Sequence, residues 1–97
     1  MNNNILDCTI LQRSSDIILA GSHNCVAGAL FTRMLCSILN LYPGKLTWCP
    51  GDTHIYMNQI NKIDEQLNRI PNQFPLLLLD NPLNNDIQNF EYKNLTL

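Results

Sequence analysis

A mixed α+β fold follows from three features of this 97-residue chain: apolar, β-branched runs of strand length, one long stretch with helical periodicity, and turn signals between them. The length fits one domain spanning residues 1–97, and a domain of this size buries only about two-thirds of its unfolded surface. Packing between its elements is therefore thin, and each element has to justify itself locally.

The first is Cys8 to Leu19. Thr9, Ile10, Ile17 and Ile18 flank the polar run Gln12-Arg13-Ser14-Ser15-Asp16, which reads as an extended strand interrupted by a functional patch. Gly21-Ser22-His23-Asn24 then makes a turn and a helix start, with Ser22 or Asn24 as N-cap. From Asn24 to Leu41 the residues Ala27, Leu30, Phe31, Met34, Ile38 and Leu41 fall on one face, and Arg33, Ser37 and Asn40 on the other. This is the expected core helix, with Pro43-Gly44 stopping it.

Lys45 to Cys49 reads as a short strand, and Pro50-Gly51-Asp52 as a turn presenting Thr53 to Tyr56. Extended geometry there sets His54 and Tyr56 on the same side. Ile60, Ile63, Leu67 and Ile70 recur at helical spacing in a second, amphipathic helix that Pro71 closes. Phe74 to Asp80 is an apolar strand, Asn81 to Asp86 a loop, and Ile87 to Tyr92 a weaker strand. The architecture expected is a mixed sheet packed against one long core helix.

Charged residues make up only 14% of the chain and the net charge is −2, so there is no basic field to attract nucleic acid or an anionic membrane. So few charges also leave room for a partner surface. Cys8, Cys25, Cys36 and Cys49 show no C-x-x-C spacing, and His23 and His54 complete no zinc pattern, so free thiols and no metal are expected. No signal peptide is evident, and the longest apolar stretch is broken by Arg33 and Asn40. A soluble protein of the reducing cytoplasm follows from these features.

Chemistry concentrates in two places. Arg13 with Ser14 and Ser15 suits a phosphate, because a guanidinium offers a fixed fork of donors and a hydroxyl a short one. The plain alternative is a polar edge strand with an Arg13–Asp16 surface ion pair. His54 and Tyr56, each apolar in body and polar at the tip, suit a sugar hydroxyl, against the alternative of an ordinary loop histidine and a half-buried tyrosine.

The order of these pieces shifts the balance between the alternatives. Gln12-Arg13-Ser14-Ser15-Asp16, then Asn24 opening a helix, then Tyr42-Pro43-Gly44, then Gly51-Asp52-Thr53-His54-Ile55-Tyr56-Met57-Asn58 resembles the C-terminal portion of thymidylate synthase. The QRS-x-D and GD-x-HIY-x-N strings stand in register without a gap, and the likeness runs from about Cys8 to Pro75.

This resemblance implies part of the thymidylate synthase fold, and a family reaction in which dUMP is methylated to dTMP with 5,10-methylenetetrahydrofolate. Arg13 and Ser14 would bind the 5′-phosphate, with Ser15 and Asp16 lining the same pocket through their backbone and the Asp16 side chain also facing the folate. Asn24 would read uracil, accepting from N3–H and donating to O4. His54 and Tyr56 would hold the 3′-hydroxyl, and Gln12 would support the pocket. The family's nucleophilic cysteine belongs to a Pro-Cys-His string upstream of the QRS-x-D strand, at a position before Met1. No catalytic residue is thus expected among these residues, and Cys8 matches a structural strand position. Ala20 stands where the family has a glycine, and Gly21-Ser22-His23 where it usually has Pro-Phe, which reshapes the base pocket.

The leading expectation is a thymidylate synthase-like half-site that needs a companion chain to supply the cysteine and further arginines, with a companion chain or a homodimer as the expected assembly. Two alternatives stand beside it. One is a dUMP or dCMP hydroxymethylase-like chain, and the other a non-catalytic nucleotide-binding or interaction protein.

Overall fold

The computed structural model describes residues 4–80 and 86–96. It contains the expected α+β mixture, with parallel pairing in one two-stranded sheet and antiparallel pairing in another. The loop expected at Asn81 to Asp86 lies almost wholly outside the described residues.

Strand β1 (Ile5–Asp16) leads through a π-helical turn (Ile17–Gly21) into helix α1 (Ser22–Leu39), and the chain returns as strand β2 (Tyr42–His54). β1 and β2 run parallel, from Ile5↔Tyr42 to Asp16↔His54, which is why a helix-length crossover separates them. A short 3₁₀ turn (Met57–Gln59) then precedes helix α2 (Ile60–Leu67). Strands β3 (Leu78–Leu79) and β4 (Leu95–Thr96) pair antiparallel, with 3₁₀ turns at Ile87–Asn89 and Tyr92–Asn94 between them.

Several local expectations need correction. β2 does not turn at Pro50-Gly51-Asp52; it stays extended through them, with Gln12 opposite Pro50 and Ser14 opposite Asp52. Its outer edge carries no strand among the described residues, so a proline without an N–H is tolerated there. Gly51 fits because an added Cβ would lie 2.9 Å from the Arg13 carbonyl oxygen. Pro43-Gly44 belong to β2 and do not stop α1, which ends where Asn40 takes the left-handed conformation (φ 54°, ψ 46°) and Leu41 N–H caps Cys36 O at 2.9 Å. α2 ends at Leu67, before Ile70, while Ile87 to Tyr92 folds as turns in place of a strand.

The phase of α1 also differs. Ala27 and Phe31, expected in the core, are exposed, and the buried line runs through Gly21, Thr32 and Cys36. Gly21 closes on Trp48 and Ile17, and Gly28 on Ile10, so the helix backbone lies against the sheet through its small residues. The buried Thr32 hydroxyl is satisfied by the Gly28 carbonyl at 2.8 Å. Larger side chains face away: Val26, Leu30 and Arg33 line a groove of about 740 Å³ with Leu76, Tyr92 and Leu95.

This arrangement leaves a great deal of surface open. The chain exposes 8153 Å², where a compact monomer of 11.1 kDa exposes about 5,700 Å². Its radius of gyration is 16.3 Å, against about 12.5 Å for a compact domain of this length. The excess area is of the size an obligate interface covers. No described helix is long and apolar enough to cross a membrane.

Candidate functional site

The C-terminal ends of β1 and β2 bring the strongest cluster together. Parallel partners point their side chains the same way, so Asp16 and His54, at the last rung, share the face that carries α1. Tyr56 follows two residues later, and its ring meets His54 edge to face with centroids 5.2 Å apart. The expectation that these two share a side is met by this contact. The crevice outside the carboxyl ends of parallel strands is also where α/β sheets generally bind ligands.

Asp16 is held firmly. Its Oδ1 accepts from Leu19 N–H at 3.0 Å, capping the π-helical turn, and its Oδ2 accepts from Gln59 Nε2 at 2.6 Å. The Leu19 N–H holds its carboxyl below the ordinary value; partial desolvation opposes this, and the Gln59 amide, the Ile18 N–H and nearby His54 assist. A carboxylate depressed in this way stabilises the fold above its unfolded-state pKa and loses that contribution as pH falls through the lower folded value. No Arg13–Asp16 ion pair forms among the described residues.

The polar run is split by strand alternation. Gln12, Ser14 and Asp16 lie on the α1 side, and Arg13 projects from the reverse face, exposed beside Leu11. Gln12 is committed to structure: its Oε1 accepts from Trp48 Nε1 at 2.8 Å and its Nε2 donates to Ser14 O at 2.8 Å. That clip ties β1 to β2 just below the cluster. Ser15 is 2% exposed and its hydroxyl has no hydrogen-bond partner among the described residues. Ser15→Ala is therefore expected to leave stability unchanged or raise it by up to about 1 kcal/mol, read from the denaturant midpoint; a loss would show that the hydroxyl is bonded in solution.

Asn24 sits in the first turn of α1, half-buried, and its carboxamide has no hydrogen-bond partner among the described residues. It is free to meet a ligand but touches neither His54 nor Tyr56 by a hydrogen bond. None of the four cysteines joins the cluster: Cys8 and Cys49 lie mid-strand, opposite Leu46 and Leu11, Cys36 is buried late in α1, and Cys25 follows Asn24. No group of three or more potential ligands is arranged to hold a metal among the described residues.

Sequence reasoning missed Gln59 and Trp48. The Trp48–Gln12 bond spans 36 residues and the Gln59–Asp16 bond 43, so neither has a local signature. Only the placement of Gln59 directly after the His54 to Asn58 string marked it.

Compared with known protein families, the chain matches the thymidylate synthase family model over residues 1–97.

Proposed function

Since the chain belongs to the thymidylate synthase family, we propose that it carries the dUMP half of that family's site and that the cysteine nucleophile comes from polypeptide outside these 97 residues, supplied by a companion chain. The family binds dUMP, uses methylenetetrahydrofolate as cosubstrate and is usually dimeric. The observation that carries the reading is the gathering of Asp16, His54 and Tyr56 at one end of the parallel pair, with the unpartnered Asn24 carboxamide opening the next helix.

In this reading residues 1–97 form one partial domain. His54 and Tyr56 present polar tips to the 3′-hydroxyl, Asn24 reads the uracil edge, and Arg13, reaching round the strand edge from the reverse face, takes the phosphate with Ser14, while Ser15 lines the same pocket through its backbone. Gln12 supports these residues through Trp48. Asp16 fits a folate ring as well, because its carboxylate oxygens can accept about two bonds each and those to Leu19, Ile18 and Gln59 leave acceptor capacity over. The folate, when bound, supplies the one-carbon unit and the hydride. A companion chain is supported by the excess exposed surface, and the reducing cytoplasm by four free thiols.

The test is equilibrium binding of dUMP and dCMP to the chain, followed by assay with candidate companions. Binding of dUMP in preference to dCMP, with dTMP formed only when a companion bearing a reactive cysteine is present, is the expected result. Absence of dUMP binding, or a 5-hydroxymethyl product, would sink the assignment. Asn24→Asp removes the donor to O4 and leaves acceptors only, so the preference for dUMP over dCMP should fall about tenfold. Unchanged selectivity would take Asn24 out of the site.

A further inference from the structure

Three bonds join Gln59 to the cluster. Its Nε2 donates to Asp16 Oδ2 at 2.6 Å, its Oε1 accepts from Tyr56 N–H at 3.1 Å, and its own N–H donates to Tyr56 O at 2.9 Å. We propose that Gln59 is the positioning residue of this site, fixing the Asp16 carboxylate and the Tyr56 backbone relative to one another and, through the Tyr56 ring, the orientation of His54. The proposal rests on the reading under Proposed function only for the identity of the ligand.

The chemistry of the position favours a carboxamide. It needs an uncharged donor toward a carboxylate and an acceptor toward a backbone N–H, and glutamine offers both ends of one rigid group. A glutamate would keep the acceptor but set two carboxylates against each other. A lysine would keep the donor and lose the acceptor.

The reach matters as well. Asp16 ends β1, whereas Tyr56 lies beyond the end of β2, where the ladder no longer holds the backbone. Past the Asp16↔His54 rung, Gln59 is the side chain that carries the connection by hydrogen bonds among the described residues. Without it Asp16 keeps only its bonds to the π-helical turn, and Tyr56 is tied to β2 by the chain and the ring contact alone. Gln59 also helps hold the Asp16 carboxyl low, beside the titratable His54, which supplies a second readout.

The experiment uses the full chain with Gln59→Ala and Gln59→Glu, dUMP as probe, and a carboxyl and amide NMR titration of Asp16 and Tyr56. Gln59→Ala is expected to weaken dUMP binding about tenfold. The same change should move the Asp16 titration up toward its ordinary value and shift the Tyr56 amide, with little change in thermal midpoint. Gln59→Glu should move the Asp16 titration further while leaving the Tyr56 amide nearer its original position, which also covers the case that the alanine variant folds poorly. Unchanged affinity, or a loss that merely follows the thermal midpoint with Asp16 unmoved, overturns the proposal. If the unsubstituted chain binds no dUMP, the nucleotide assignment fails; the Asp16 and Tyr56 signals then decide the role of Gln59, supporting it if they move and overturning it if they do not.

Discussion

Arg13→Ala is expected to weaken dUMP binding by about 1.5–3 kcal/mol, roughly 10- to 150-fold in Kd, with no matching loss for deoxyuridine. The chain has six lysines and arginines in all, and only Arg13 belongs to the polar run that ends at Asp16. Its guanidinium is exposed and forms no ion pair among the described residues, so it is available to an anion without first breaking an internal contact. It leaves β1 on the face opposite Asp16, so in the proposed site the phosphate would lie toward the strand edge and the sugar by His54 and Tyr56. The nucleoside comparison isolates the phosphate: a variant that lost dUMP and deoxyuridine equally would have lost the pocket itself, and one that lost neither would remove Arg13 from the site. Arg13→Lys should recover only part of the affinity, because an ammonium keeps the charge but not the planar fork.

Gly51→Val should destabilise the chain by about 1–3 kcal/mol and weaken the proposed nucleotide site with it. No glycine among the described residues has a positive φ, so the penalty is one of space alone. A Cβ at Gly51 lies 2.9 Å from the Arg13 carbonyl oxygen and 3.7 Å from its carbon, and these are backbone atoms that cannot swing aside. The strands must part between the Gln12↔Pro50 and Ser14↔Asp52 pairs, just below His54. At Gly28 the nearest obstacle is the tip of Ile10, which can change rotamer, so Gly28→Ala serves as the milder comparison. Denaturant midpoints of the two variants decide the matter: equal midpoints would show that the ladder beside Arg13 yields as easily as a side chain.

What was legible in the sequence was short in range. The α1 period, the strand character around Gln12 to Asp16 and the pairing of His54 with Tyr56 all depend on residues within a turn or two of each other. The phase of α1 was not legible, because ranking positions by side-chain size points to Leu30 and Phe31, whereas close packing on the sheet selects Gly28, Thr32 and Cys36. The run Pro50-Gly51-Asp52 has turn chemistry and is extended all the same, held by its pairing with a strand nearly forty residues earlier. Of the candidate cluster, Asp16, His54 and Tyr56 could be named from the sequence, but not the division of the polar run between the two faces of β1. Gln59 could not be found, since its value lies in reaching a carboxylate 43 positions away.

The parallel register has a kinetic side. Every rung of the β1–β2 ladder joins residues 37 or 38 apart, Ile5 to Tyr42 at one end and Asp16 to His54 at the other. Closing a loop of that length loses chain entropy before any rung compensates for it, so the ladder forms late relative to α1, whose hydrogen bonds are local. The candidate cluster of Asp16 and His54 occupies the last rung and exists only once that closure is complete. A ligand bridging Asp16 and His54 would therefore act as a clasp on the slowest part of the fold, selecting closed chains from open ones and drawing the population toward them.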